Sequence, residues 1–182
     1  NRIKYTGSGP QASALCMDKA RTKDLAKIMG VDTPEWEIID NPGITPKLQL
    51  PYVIKPNDQG STFGISVIFD KKQIHSAIKE AFKYGKDVMV EKYVKGKELT
   101  LPIIGEEALS IVEIIPSHGF YDYECKYSQG MSQYECPAKL DNNIEIKVKE
   151  NTELLFQELG CDTYGRADYI LDKSGVPYFL EM

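Results

Sequence analysis

The chain has 182 residues, with 22 Lys+Arg against 27 Asp+Glu for a net charge of -5, and is 42% hydrophobic and 27% charged. That is ordinary globular usage; it disfavours intrinsic disorder, collagen-like repeats and a membrane-spanning design, and a chain of this size buries about two thirds of its unfolded surface without staples. The mild negative charge gives no general attraction to nucleic acid or to an anionic membrane, so phosphate chemistry here has to come from a local cluster of cations.

In chain order, Tyr5 to Pro10 reads as a loop. Leu15, Ala20, Leu25, Ile28 and Met29 then recur at helical spacing, with Asp18 and Thr22 placed to cap successive turns and Gly30 as the stop. Thr33-Pro34 enforces an extended exit, and Trp36, Ile38 and Ile39 predict a short strand. After a connector from Asp40 to Lys47, Leu50 to Lys55 reads as a strand ended by Pro56. The polar turn Asn57 to Ser66 leads to a returning strand at Val67 to Phe69, which makes a hairpin. Asp70 caps a predicted helix from Lys71 to Tyr84, with Ile74, Ala77, Ile78, Ala81 and Phe82 on one face and Gly85 as its stop. Strand candidates follow at Asp87 to Tyr93, Glu98 to Ile104 and Leu109 to Ile115.

The stretch Ser117 to Leu140 is aromatic, charged and too long for a plain connector, which makes it a candidate functional loop. Ile144, Val148, Leu155 and Leu159 mark a helix stopped by Gly160, and Gly165 to Met182 forms a hairpin around Asp172-Lys173-Ser174-Gly175. Helices separated by antiparallel hairpins favour an α+β arrangement in two lobes. The cysteines Cys16, Cys125, Cys136 and Cys161 are scattered without a C-x-x-C pair, and no signal-like segment precedes them; they read as reduced thiols of a cytosolic protein. No apolar run approaches the roughly 20 residues of a membrane helix.

Three constellations carry chemistry. Gly60-Ser61-Thr62-Phe63-Gly64-Ile65-Ser66 offers backbone amides and hydroxyls that can approach a phosphate, with Lys55 at the end of the preceding strand to add an ammonium. It is not a Walker loop, and the same residues also suit a plain flexible hairpin. At Val90-Glu91-Lys92-Tyr93-Val94 an apolar strand exits into charge; exposed backbone there can mimic a base pair for an adenine and Glu98 can hold ribose hydroxyls, or the segment is a charged rim. In the last hairpin Arg166 and Asp168 share a face. A turn pairing Leu171 with Val176 puts Glu181 opposite Arg166 and Asp168 opposite Phe179, so two carboxylates and a guanidinium converge. Carboxylates of this kind suit magnesium shared with substrate phosphates, while the alternative is a surface salt bridge. The loop Phe120 to Tyr127 can act as a lid with Lys126 reaching a phosphate, or can anchor to the core.

Taken in order, Tyr5-Thr6-Gly7-Ser8-Gly9, Met17-Asp18-Lys19, Val53-Ile54-Lys55-Pro56, Gly60-Ser61-Thr62-Phe63-Gly64, Val90-Glu91-Lys92, Gly96-Lys97-Glu98-Leu99-Thr100, Phe120 to Tyr127, Cys136-Pro137-Ala138, Gly165-Arg166-Ala167-Asp168 and Phe179-Leu180-Glu181 closely resemble bacterial D-alanine:D-alanine ligases of the ATP-grasp superfamily. The resemblance runs along essentially the whole chain. It implies an α+β ATP-grasp fold, with nucleotide held between antiparallel sheets of two lobes, residues 8–91 and 92–182, and residues 1–7 as the tail of a further N-terminal lobe. It also implies that the chain is a portion of a longer ligase, since the family's N-terminal lobe and its Asn-x-x-Pro-Gly-Met segment lie outside it.

By the same resemblance Lys19 and Lys55 contact nucleotide phosphates, Glu91, Lys92 and Val94 the adenine, and Glu98 the ribose. Ser61 and Thr62 close over the phosphates, and Lys126 reaches the γ-phosphate. Arg166 stabilises charge on the reacting carboxylate, and Asp168 and Glu181 hold magnesium, with manganese as a possible substitute. Tyr127 and Ser61 bear on substrate choice, tyrosine being typical of the D-Ala-D-Ala makers. The implied reaction joins two D-alanines: a carboxylate attacks ATP to give an acyl phosphate, and the second amine displaces phosphate, for peptidoglycan precursors. The family further implies a cytoplasmic homodimer that binds neither nucleic acid nor membrane. Two other readings are a D-alanine:D-lactate ligase and a non-catalytic nucleotide-binding module.

Overall fold

A computed structural model describes residues 3–117, 128 and 130–182. The whole of the expected lid, Phe120 to Tyr127 with Cys125, Lys126 and Tyr127, lies outside the described residues.

Two helices open the chain, α1 (Pro10–Met17) and α2 (Lys19–Ile28). The single helix expected here is broken at Asp18, whose extended backbone ends α1 while its carboxylate accepts from the Arg21 amide at the start of α2. Thr22 does not cap; its hydroxyl donates back to the carbonyls of Leu15 and Asp18. Gly30, at φ 78°, closes the pair as expected.

The first sheet contains β1 (Trp36–Ile39), β2 (Tyr52–Pro56), β3 (Ser66–Ile68) and β4 (Val88–Lys92) in the order β1-β4-β2-β3, antiparallel at each described pairing. Between β3 and β4 lie a 3-10 turn (Lys71–Gln73) and α3 (Ile74–Ala81). Asp70 caps this turn in a reciprocal box with Gln73, which starts the predicted helix where the sequence places it. The helix then ends at Ala81, short of the expected Tyr84. Gly85 is not its stop: it takes no positive φ, and a side chain there would meet Asp58 Oδ1 at 2.9 Å. Ala77, Ile78 and Ala81 bury against Tyr52, Ile54, Val88 and Val90 to form the first core.

The second sheet runs β10-β9-β5-β7-β8, with β6 (Glu107–Ala108) pairing β5. Its other strands are β5 (Gly96–Ile104), β7 (Val112–Pro116), β8 (Ser132–Glu135), β9 (Tyr164–Asp172) and β10 (Pro177–Glu181), and α4 (Asn142–Glu158) covers one face. The strand expected at Leu109 to Ile115 starts later, as β7 at Val112, and the short β6 precedes it at Glu107–Ala108. Strand β8 falls inside the stretch expected to be irregular; Ser132-Gln133-Tyr134-Glu135 pairs with β7 without the apolar alternation that marks a strand in sequence. Val148 and Leu155 of α4 pack on Leu99, Leu101, Ala167, Tyr169 and Phe179. Ala26 of α2 and Val31 join that same core, so the opening helices bury against the second sheet.

The last hairpin differs by one residue from the expected register. Leu171 pairs with Pro177 and Tyr169 with Phe179, which puts both rings in the core with centroids 5.6 Å apart. A shift between Phe179 and Glu181 then sets Glu181 opposite Asp168, instead of opposite Arg166. Among the described residues no helix is long and apolar enough to cross a membrane.

Candidate functional site

A cleft of about 740 Å³ opens between the two sheets, and Lys19, Lys55, Asp168 and Glu181 all line it. Four side chains drawn from α2, β2, β9 and β10 therefore share one space. Lys55 comes from the last turn of the β2 pleat, diagonal to Glu91, because Val53 is the residue directly opposite Glu91. Its ammonium donates to Glu91 Oε2 at 2.8 Å. Lys19 opens α2 and reaches the Gln59 carbonyl at 2.5 Å and Glu181 Oε2 at 3.4 Å. Burial holds its pKa below the ordinary lysine value, with Glu181 acting in the opposite direction. The Asn57 side chain fastens this corner, accepting from the Ala20 amide at 2.9 Å and donating to Asp18 at 2.8 Å.

The turn between β2 and β3 supplies the next wall. Gly60, Ser61 and Thr62 line the cleft, and both hydroxyl residues adopt the left-handed region, at φ 57° and 66°. Such backbone is unfavourable for residues with a Cβ and concentrates at ligand clamps. Gly64, at φ 70°, needs its missing side chain as well, since a Cβ would stand 2.8 Å from the Tyr84 ring. Thr62 Oγ1 is buried without a hydrogen-bond partner among the described residues, so a donor or acceptor is available beside the cleft.

The acidic side is a row across three strands. Thr100 of β5 pairs with Asp168 of β9, and Asp168 pairs with Glu181 of β10. The Thr100 hydroxyl donates to Asp168 Oδ1 at 2.7 Å, and Arg166, two residues along the same face, donates to Oδ2 at 2.9 Å. Burial raises the Asp168 pKa, while Arg166 and Thr100 favour its charged form. The bulge after Phe179 decides this geometry. In a regular ladder continuing from Phe179 opposite Tyr169, Glu181 would face Ala167 on the core side; the extra residue returns its carboxylate to the cleft. Two opposed carboxylates fit a magnesium ion, which takes oxygen ligands and shares them with phosphates. Among the described residues no group of three or more His, Cys, Asp or Glu side chains forms a self-sufficient metal site.

Lys92, Val94 and Glu98 line the cleft where β4 leads into β5, and Arg166 lines it as well. Glu91 also lines the cleft; the residue is 3% exposed and its carboxylate faces two ammonium groups, Lys23 at 2.5 Å and Lys55 at 2.8 Å. Burial raises the Glu91 pKa, yet Lys23 and Lys55 together outweigh it and leave the group below the ordinary carboxylate value.

Sequence reasoning passed over two residues. Thr100 sits in the Gly96-Lys97-Glu98-Leu99-Thr100 motif without a role; its place two residues from Glu98 on a strand was the available signal. Lys23 carried a fainter one, a lysine one helical turn from Lys19 on the buried face that also holds Thr22 and Ala26. The thiols of Cys16 and Cys161 stand 3.6 Å apart, hydrogen-bonded to each other without a disulfide, and Cys136 is exposed.

The chain is similar to known proteins along nearly its whole length. Residues 25–182 match the family model described as D-ala D-ala ligase C-terminus. A D-alanine--D-alanine ligase of Methylacidiphilum infernorum is 41% identical over 180 residues, covering 99% of this chain and 59% of that protein. Among solved structures, a D-alanine--D-alanine ligase from Bacillus anthracis superposes with a TM-score of 0.85 at 31% identity, covering 98% of this chain and 60% of its own. The VanG D-Ala:D-Ser ligase from Enterococcus faecalis gives a TM-score of 0.83 at 31% identity, over 98% and 55% of the two chains. The chain thus spans about 60% of the length of these relatives.

Proposed function

Since the chain belongs to the D-Ala-D-Ala ligase C-terminal family and has its ATP-grasp architecture, we propose that it forms the nucleotide-binding part of an ATP-dependent ligase that joins two D-alanines for peptidoglycan precursors. The observation that carries this reading is the shared cleft: Lys19, Lys55, Asp168 and Glu181, four residues from separate elements, converge on one space. A relative that matches over 98% of this chain is described as a ligase complexed with ATP.

In this reading the segments 8–91 and 92–182 provide the two walls. Lys19 and Lys55 hold the phosphates, and Ser61 and Thr62 cover them from the strained turn. The adenine lies against the strand exit at Glu91, Lys92 and Val94, and Glu98 takes the ribose. Asp168 and Glu181 would hold magnesium, which neutralises phosphate charge when bound. Arg166, 61% exposed at its side chain and ion-paired with Asp168, would place its guanidinium charge near a developing negative charge. Transfer of phosphate to a carboxylate needs alignment and charge stabilisation more than a protein nucleophile, which accords with a cleft rich in cations. Lys126 would act on the γ-phosphate and Tyr127 on substrate choice, and the whole enzyme works as a cytoplasmic homodimer.

Titration calorimetry tests the binding half directly. Mg-ATP should bind this chain, and Lys55→Met should weaken it by about tenfold or more, the loss expected for one partly buried phosphate contact. In the whole protein, ATP and D-alanine should yield dipeptide and phosphate, with Lys126→Ala abolishing turnover. Depsipeptide formation from D-lactate in preference to dipeptide would overturn the choice of second substrate, and absence of Mg-ATP binding would overturn the reading altogether.

A further inference from the structure

Lys23 is fully buried, at 0% exposure, and does not line the cleft. Its ammonium sits 2.5 Å from Glu91 Oε1 and donates to Thr33 Oγ1 at 2.7 Å and to the Phe179 carbonyl at 3.1 Å. The other Glu91 oxygen accepts from Lys55 at 2.8 Å. The chain of contacts therefore runs from a cleft-lining cation, through β4 of the first sheet, to β10 of the second. It meets β10 at Phe179, where the bulge that turns Glu181 into the cleft begins.

A fully buried ammonium is destabilising on its own, and packing alone would be served by an apolar side chain. The charge balance supplies a reason for the lysine. With Lys55 and Glu91 alone, the two charges cancel, and the ammonium facing the cleft is held by a full counter-ion of its own. With Lys23 added, one carboxylate is shared between two cations and the trio is net positive. Resting on the nucleotide reading above, we propose that Lys23 is a positioning residue: it occupies one oxygen of Glu91 so that Lys55 is held in place yet keeps net positive charge for an anion in the cleft, while its bond to the Phe179 carbonyl steadies the bulge that presents Glu181. Burial lowers the Lys23 pKa to about 8, with Glu91 acting against that effect, so the group is still mostly charged at neutral pH.

The test compares Mg-ATP with adenosine, which has the base and sugar without the phosphates, on the full 182-residue chain. Lys23→Met keeps the length and removes the charge. It should lower Mg-ATP affinity about tenfold and leave adenosine affinity unchanged, so that the ratio of the two falls. Lys23→Met combined with Glu91→Gln removes both charges, returns the net charge to Lys55, and should recover most of that ratio. A merely structural role makes the opposite prediction: both ligands weaken in parallel and the second substitution adds damage. An unchanged ratio in Lys23→Met, parallel losses, or a double variant no better than the single would each overturn the proposal. If Lys23→Met fails to fold, the double variant against the wild type decides, since a ratio near that of the wild type supports the proposal and a tenfold lower one overturns it. Failure of the wild type to prefer Mg-ATP over adenosine would instead bring down the nucleotide reading on which the proposal rests.

Discussion

Tyr169 shows how one side chain binds packing to protonation. Its ring meets Phe179 edge-on in the core while its hydroxyl shares a 2.9 Å hydrogen bond with Thr152 Oγ1. Burial raises its pKa well above the ordinary value of 10. A group whose folded pKa is raised contributes stability that is fully present below the unfolded value and is lost progressively as pH rises from there through the folded value, because over that window the unfolded chain has released a proton that the folded chain keeps. Denaturant unfolding followed from pH 7 to 11 should therefore show a loss above about pH 10 that is shallower in Tyr169→Phe. At neutral pH the same variant should lose only about 0.5–1.5 kcal/mol, since Thr152 still donates to the Val148 carbonyl. An alkaline limb as steep in the variant as in the wild type would assign the loss to other groups.

The strands carry the site at the scale of elements, and Gly96 is where two of them touch most closely. At the start of β5 it pairs with Asp172, and a Cβ added there would stand 2.0 Å from the Leu171 carbonyl oxygen. Backbone cannot yield as a side-chain tip can, so Gly96→Ala should lower unfolding stability by about 2–4 kcal/mol. A loss under about 0.5 kcal/mol would mean that the strands part at that end without cost. The glycine opens the Gly96-Lys97-Glu98 motif, yet nothing in the sequence distinguishes a close approach of chains there from a simple turn. The bulge on β10 is invisible in sequence for a related reason. Phe179-Leu180-Glu181 reads as an ordinary alternating strand end, and only the demand that Phe179 join Tyr169 in the core while Glu181 stays wet forces an extra residue between them.

For the molecule as a whole, two cores lie under two sheets, and the opening helices bind to the second core while Lys19 and Lys23 reach toward the first. A ligand in the cleft therefore contacts elements of both. Mg-ATP at one hundred times its Kd should stabilise the chain by about 2.7 kcal/mol. Hydrogen exchange should slow together in β2, β4, β9 and β10. Protection confined to one sheet would mean that the nucleotide does not bridge them.

Much of this architecture is legible in the order of residues alone. The helical spacing of Ile74, Ala77, Ile78 and Ala81, the glycine stops at Gly30 and Gly160, and the ordered motifs around Lys19, Lys55, Glu98, Asp168 and Glu181 are properties of the chain read in one dimension, and they determined the family, the α+β class and the membership of the cleft. Register, the break at Asp18 and the partners of Glu91 were decided only in three dimensions. Each depends on which distant groups meet: a carboxylate on β4 goes to whichever cations burial leaves beside it, and a strand takes the register that satisfies its core face first.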